Sequence, residues 1–480
     1  MTDLISSAVG GRIVGFNDEF FAEAANLLKP TAPVWQEDAY TDRGKWMDGW
    51  ETRRRRDPGH DWCVIALGIP GVIRSATVDT THFTGNYPEA FSLEACGVGV
   101  DAGLEHADWV EVIPPTDLEG DTTATFGVDD THRVTYVRLN IFPDGGVARL
   151  RVEGDPIPSL DQVCPETGNI DLVSSLVGGE ALEASDLHYS PPSNLIRPTD
   201  PAGMWDGWET RRRRGPGHDW VRFRLGLAGV IDLVEVDTRH FKGNSPGWVS
   251  VHLSEDGERW QEVVARAEIE PDTVNPVPLG VAEPARFLRL DIHPDGGVAR
   301  VRVRGKPAPD EALTRRLEYL NALFDPDATR FFSTACRSTT WVESMKAARP
   351  FRDGADVLVR AGAAFDTLDE RDWREAFAGH PRIGERGDGL ANQEQVGAQA
   401  ASANVLEALA SANQAYEEKH GFTYIVYATG KTAVEMLAIA EERLANSLQE
   451  ELDNAAREQR AITETRLRRM LCMEDGQWHH

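Results

Sequence analysis

The sequence predicts a multidomain chain of two all-β sandwich repeats followed by an all-α helical domain. Three observations carry this. A polar string, Asp48-Gly-Trp-Glu-Thr-Arg-Arg-Arg-Arg56 followed by Pro-Gly-His60-Asp61-Trp62, returns as Asp206 to Arg214 followed by Pro-Gly-His218-Asp219-Trp220, at a constant offset of 158 residues. Short segments inside each copy alternate at period two between turn residues, the signal of a half-buried antiparallel sheet. From about residue 311 the composition shifts to long Ala, Leu, Glu and Arg segments.

Each copy has a start, a middle and an end. Gly11, Asp18, Asn26 and Pro30 match Gly179, Asp186, Asn194 and Pro198 at an offset of 168. Val78-Asp-Thr-Thr-His82-Phe-Thr-Gly-Asn86 matches Val236 to Asn244 at 158, and Phe142-Pro-Asp-Gly-Gly-Val-Ala-Arg149 matches His293 to Arg300 at 151. The changing offset implies loops of different length between fixed elements. Trp220–Leu225, Arg286–Ile292 and Val298–Val303 read as strands, with Gly229, Pro246-Gly247 and Asp256-Gly257 as the turns that bound them. Gly305 to Asp310 is Pro-rich and ends the all-β part. The repeats are assigned to residues 1–160 and 161–306, a linker to 307–312 and the helical domain to 313–475. In that domain Val434, Leu437 and Ala438 keep helical spacing, Ser447-Leu-Gln-Glu450 is a capping box, and Gly421 closes a helix after His420.

A chain of 480 residues with 41% apolar content has room for two to four domains and ample core. No apolar run approaches the ~20 residues a membrane span needs, and Met1-Thr-Asp-Leu-Ile-Ser-Ser lacks a signal-peptide pattern. The five cysteines, Cys63, Cys96, Cys164, Cys336 and Cys472, are scattered without a CxxC, and Cys63 aligns with Val221, so it reads as a core residue. A reducing cytoplasm is expected. A formal net charge of −28 argues against nucleic-acid binding. Only 7 of the 50 basic residues are lysines, so local positive sites are guanidinium forks suited to carboxylates. A homo-oligomer is expected.

The duplicated residues are polar, aromatic and glycine, the types that build sites. The candidates are Glu51, Arg53, His60, Asp61, Asp79, His82 and Asn86, with Glu209, Arg211, His218, Asp219, Asp237, His240 and Asn244 in the second copy. His82 and His240 fall where a strand gives way to a turn. Each is either an acid/base or metal-binding His with an orienting carboxylate, or a His tying loop to strand. In a β-region the run Arg53–Arg56 sends about two side chains to each face, so one pair can clamp a carboxylate while the other stays outside. The same run also fits a solvated edge. Trp50, Trp62, Trp208 and Trp220 read as core, and Asp144-Gly-Gly and Asp295-Gly-Gly as tight turns.

Over roughly residues 1–306 these paired strings resemble allantoicase. The resemblance implies two jelly-roll-like sandwich repeats and hydrolysis of allantoate, a small carboxylate bearing two ureido groups, to ureidoglycolate and urea. Arginines suit the carboxylate, and carboxylate or amide side chains suit the ureido N–H groups. Cleavage needs an activated water and a proton for departing urea, which His with Asp or Glu can supply. Which repeat holds the site is open. So is a metal: His plus Asp would allow a divalent ion, but no spacing is a ligand signature.

In the helical part, Gly379-His380-Pro381-Arg382-Ile383-Gly384, Gln393-Glu394-Gln395 and Gly421 to Tyr427 stand out. Together with Trp341 to Phe351 and Ile462 to Leu467, they resemble OHCU (2-oxo-4-hydroxy-4-carboxy-5-ureidoimidazoline) decarboxylase over about residues 313–471. The resemblance implies His380 and Glu394 as catalytic residues. It also implies Pro381, Gln395, the backbone around Tyr424, Ile425, Val426, Tyr427 and Ala428, and Arg466 as substrate-binding. Ala391 stands where many relatives have Ser, which removes one hydroxyl contact. No cofactor is expected for this step, because loss of CO2 leaves a carbanion that the adjacent imine and carbonyl delocalise. The protein then delivers a proton to one face, giving (S)-allantoin. The two resemblances imply a bifunctional enzyme of uric acid degradation, with the intervening allantoin-opening step supplied by another protein. The alternative is a decarboxylase carrying a non-catalytic ligand-binding β-sandwich.

Overall fold

One long strand organises each repeat. In the computed structural model, which describes residues 1–97, 104, 107–163, 169–280, 283–383 and 403–473, strand β1 (Asp61–Asp79) belongs to two layers at once. Its first part pairs antiparallel with Arg12–Phe16, and with β3 (Arg133–Phe142) on the other side; β2 (Ala90–Cys96) lies next to β3. Its second part pairs with Thr123–Gly127 and with β4 (Arg149–Pro156). Folding one sheet over in this way buries alternate side chains between the layers. Trp50, Ile65, Val78, Phe91, Leu139 and Leu150 make that core.

The second repeat repeats the plan with β5 (Asp219–Asp237), β6 (Trp248–Ser254), β7 (Ala285–His293) and β8 (Arg300–Pro307). Its core holds Trp208, Val221, Phe223, Leu290 and Val301. Gly229 does not bound a strand as expected. It lies inside β5, at the register shift where the strand changes partners, and a Cβ there would stand 2.2 Å from the Lys306 carbonyl oxygen.

Helix α1 (Pro309–Asn321) starts with Pro and two acidic residues, as a helix N-terminus favours. Its Ala312 enters the core of the second repeat. At its other end Tyr319 sits under the Arg133 guanidinium at 5.1 Å, and Phe324 stacks on His132 at 4.4 Å, both in the first repeat. The internal contacts divide the chain after Phe324, so this helix belongs with the β-repeats.

The second unit is helical: α2 (Asp325–Ala335), α3 (Thr339–Ala347), α4 (Gly354–Asp366), α5 (Glu370–Phe377), α6 (Ala403–His420), α7 (Ala433–Arg443) and α8 (Leu448–Met470). Ser447 and Glu450 form the expected capping box, and Gly421 ends α6 at φ 74°. Phe332, Trp341, Tyr416 and Leu467 are buried. At its centre the buried Glu451 pairs with Arg443 and accepts the Tyr416 hydroxyl at 2.6 Å.

Candidate active sites

Much of the duplicated polar chemistry holds the fold together. Arg149, 2% exposed, donates to the Asp48 carboxylate at 2.6 Å and to the Thr31, Asp48 and Ala148 carbonyls. Arg300 makes the same set with Asp206 at 2.7 Å and the Thr199, Asp206 and Ala299 carbonyls. Trp50 and Trp208 are core residues as expected, and their indole N–H groups donate to the carbonyls of Asp18 and Asp186. Asn26 and Asn194 donate to the Gly49 and Gly207 carbonyls.

Arg53–Arg56 do not form the strand expected of them. Side chains take the backbone donors that a ladder would use: Arg53 N–H donates to Asp18 and Arg55 N–H to Asp144, each at 2.9 Å. The alternation nevertheless survives. Arg53 pairs with Asp18 at 2.7 Å and Arg55 with Asp61 at 2.6 Å, while Arg54 and Arg56 face solvent. Burial opposes ionisation of Asp18, but the N–H groups of Phe20 and Arg53 and the Arg53 guanidinium outweigh it and hold the carboxyl below its usual range.

Behind this loop the first repeat opens into a hollow of about 430 Å³ lined by Asn17, Arg55, Gly59, His60, Trp62, Arg138 and Asn140. Asn17 donates to Asp61 at 3.0 Å and accepts the Trp62 N–H at 2.8 Å. Glu94 accepts from Arg138 at 2.6 Å and Asn140 at 2.8 Å, and the Arg138 bond holds its carboxyl below the usual range. Trp62 is half-buried and lines the hollow, so the core reading holds for Trp50 and not for Trp62. Asn17 and Asn140 were missed in the sequence because the other copy has Ser185 and Asp291 in their places; Arg138 keeps its identity as Arg289 but lies outside the repeated polar strings.

In the second repeat the matching surface carries different donors. Register places Asp291 where Asn140 stands, His293 at Phe142 and His252 at Glu94. Arg211 pairs with Asp186 at 2.8 Å, and Arg213 pairs with Asp219. Arg289 donates to Asp291 Oδ1 at 2.6 Å, and His252 Nε2 lies 3.0 Å from Oδ2. His218, Asp291 and His293 each bring one donor atom to within 4.8 Å of the others, a grouping that could hold a metal. Burial, reinforced by His218, pushes His293 down to about 4.

The remaining candidates of the repeats serve as turn anchors. Glu51 accepts from Asn86 and Glu209 from Asn244, both at 2.7 Å, and burial raises the Glu51 carboxyl despite that bond. Asp79 accepts the Thr81 N–H at 2.8 Å, and Asp237 pairs with Arg239 at 2.7 Å. His82 and His240 follow the strand ends at φ 73° and 74°, and their N–H groups donate to Asp121 and Asp272 at 2.8 Å. The His82 ring lies 5.5 Å from Trp35, and His240 Nε2 lies 3.0 Å from the Pro201 carbonyl.

In the helical unit, α5 ends at Phe377 and the chain turns through Gly379, with His380 N–H bonded to the Phe377 carbonyl at 3.0 Å. The His380 side chain is half-buried and bonds to Gln459. Burial first, then the Arg466 and Arg337 charges, push it down to about 3, so the imidazole is neutral at pH 7. Gln459, Thr463 and Arg466 share one buried face of α8. Their spacing of four and three residues was readable in the sequence, yet only Arg466 was singled out. Pro381 is half-buried beside His380. Tyr424 is buried and donates to the Met436 carbonyl at 3.1 Å; the Ile425 carbonyl accepts from Arg443 at 2.8 Å; Tyr427 N–H donates to Glu458 at 2.6 Å. Val426 and Ala428 are buried in the same segment. Glu394, Gln395 and Ala391 lie outside the described residues.

Comparison with known proteins divides the chain in the same way. The allantoicase repeat family matches residues 2–157 and 170–308, and the OHCU decarboxylase family matches residues 321–468. A probable allantoicase of Pseudomonas paraeruginosa is 42% identical over 318 residues, covering 64% of this chain and 96% of its own. The crystal structure of allantoicase from Saccharomyces cerevisiae is 35% identical with a TM-score of 0.55, covering 63% of this chain and 92% of that one. A crystal structure of OHCU decarboxylase in the presence of (S)-allantoin is 33% identical, covering 30% of this chain and 97% of that one, with a TM-score of 0.28.

Proposed function

The chain belongs to the allantoicase family and carries an OHCU decarboxylase module after its two repeats, and from that premise we propose where its two reactions take place. It is a bifunctional enzyme of purine degradation, an allantoate hydrolase joined to a cofactor-independent carboxy-lyase.

For hydrolysis we assign the hollow of the first repeat. The observation that carries this is its lining: two guanidinium groups, one imidazole and two carboxamides around one space sized for a small molecule. Arg55 and Arg138 offer forked donors to the allantoate carboxylate. Asn17 and Asn140 complement the ureido groups. Water adds its oxygen to the central carbon as the C–N bond to one ureido group breaks, and His60 passes the proton that leaves with urea. Asp61 fixes Arg55 from behind.

For decarboxylation, neutral His380 and Glu394 flank the substrate. Arg466 and the Tyr424–Ala428 backbone hold it, with Pro381 and Gln395 completing the pocket. His380, bonded to Gln459 and set beside the fixed charge of Arg466, is neutral and acts as a relay. Its ring N–H proton goes to one face of the carbanion while its other nitrogen takes one up from water, so the ring enters and leaves the step uncharged. The functional modules on this reading are residues 1–160, 161–306 and 313–475, with helix α1, at the head of the last, packed on the repeats.

Urea release from allantoate tests the first assignment. Arg138→Met removes a charge-assisted bond worth about 1.5–3 kcal/mol and should raise KM about 10- to 150-fold. Arg53→Met, altering an exposed pair, should leave KM unchanged. Equal kinetics in both variants would move the site elsewhere.

A further inference from the structure

We propose that the second repeat holds a divalent metal site built from His218, Asp291 and His293, with His252 orienting the carboxylate. The cation fitting these borderline nitrogen and oxygen donors is a first-row transition ion, Zn²⁺ foremost. This goes beyond the hydrolase assignment, and it stands or falls independently of where allantoate binds.

Four observations carry it. First, the three residues already place one donor atom each within 4.8 Å of one another, before any rearrangement. Second, His218 Nε2 is buried with no hydrogen-bond partner, although Asp291 Oδ2 lies 3.2 Å away out of line. A buried nitrogen lone pair without a donor is costly, and a cation beside it and the Asp291 carboxylate would satisfy both.

Third, the surrounding groups are arranged as the outer shell of a metal site is. The Ser250 hydroxyl proton goes to the Ala265 carbonyl at 3.0 Å. Its oxygen therefore accepts from His293 Nε2 at 3.0 Å, which leaves Nδ1 as the lone-pair nitrogen of that ring. Trp248 stacks on His293 at 3.4 Å with the planes 6° apart, fixing the ring's rotation. Arg289 occupies Asp291 Oδ1 at 2.6 Å, leaving Oδ2 to face the imidazoles.

Fourth, the first repeat is an internal control. It keeps His60 at the position of His218, but Asn140 and Phe142 replace Asp291 and His293 on the same strand register. A common structural need would have kept the donors in both copies. They converge in one copy only.

The test uses the full-length chain stripped with a chelator. Titration calorimetry with Zn²⁺ should show one tight equivalent per chain, and Co²⁺ should give visible d–d absorption at the same stoichiometry. The double variant Asp291→Asn/His293→Phe installs side chains that the same backbone already carries in the first repeat, so it is expected to fold. It should lose the tight equivalent, with affinity down at least ~100-fold, and the Co²⁺ bands. His218→Ala alone should weaken binding in the same direction. Deleting Trp478–His480, which carries two further imidazoles, should change nothing. The proposal is overturned if wild type and double variant bind Zn²⁺ alike, or if the tail deletion abolishes the tight equivalent. Zn²⁺ should also raise the unfolding temperature of the wild type and not of the variant. A rise in both would equally overturn it.

Discussion

Replacing Arg149 with Met removes one half of a buried ion pair without touching the hollow. Arg149 is 2% exposed, and it supplies donors to the Asp48 carboxylate and to four carbonyls, those of Thr31, Ala32, Asp48 and Ala148. Deleting one partner of a buried pair costs about 3–5 kcal/mol, mostly because the other is left uncompensated. Asp48 keeps Lys29 at 2.7 Å and the Val34 N–H at 3.0 Å, which places the cost near the low end, about 3 kcal/mol. With a urea m-value of about 3 kcal/mol/M for a unit of this size, the midpoint for the β-unit should fall by about 1 M. Circular dichroism follows the transition, while decarboxylase activity reports separately on the helical unit. Urea release per folded molecule should be unchanged. A fall in turnover with no shift of the midpoint would refute the reasoning and make Arg149 part of the chemistry.

Other predictions follow from the two sites. His380→Ala should slow decarboxylation about 10²- to 10⁴-fold while urea release persists; loss of both activities would mean that the sites are not independent. Because His380 is held down to about 3, decarboxylation should stay level from pH 8 to pH 5, and an acid limb centred near 6.5 would contradict that. The same depression has a stability consequence. The unfolded His takes up a proton near 6.5 that the folded one refuses, so this contribution is complete above about 6.5 and is lost as pH falls toward 3, readable as a declining urea midpoint of the helical unit. His82→Gly and His240→Gly, made singly, keep the positive φ and should leave urea release within about threefold; a larger drop in either would restore that His to the catalytic list.

The architecture was legible in the sequence because it rests on patterns with fixed periods. Alternation found β5 and β7, and the Ser447–Glu450 box and Gly421 placed helix ends correctly. What misled was local. Arg53–Arg56 look like strand residues, but their N–H groups are captured by Asp18 and Asp144, and no residue in the run itself signals a partner 35 or 89 positions away. Gly229 looks like punctuation, yet it answers to the Lys306 backbone from another strand. The site was harder still. Identity between copies picked out Trp50, Arg149 and Asn26, which do the same structural work twice. The groups that differ, Glu94 against His252 and Asn140 against Asp291, set the two mouths apart around the arginines and histidine that both copies keep. A search for sameness passes over these differences. His380 and Arg466 were found because their motifs are short and local. Gln459 was not, since a single glutamine on a helix face has no motif of its own.

Helix α1 changes the order in which this polypeptide can finish folding. The last strand of the first repeat is complete at Pro156, but that repeat leans on Tyr319, Ala322 and Phe324, about 170 residues further along. At the ~5–20 residues per second of ribosomal synthesis, the N-terminal repeat waits roughly 10–30 s for its last contacts. During that interval the ring faces of Phe324 and Tyr319 do not yet exist to cover His132 and Arg133, and the second repeat must be threaded and folded meanwhile. The helix that follows the second repeat in sequence is therefore also a timing device: the first repeat made closes only after the second has been synthesised.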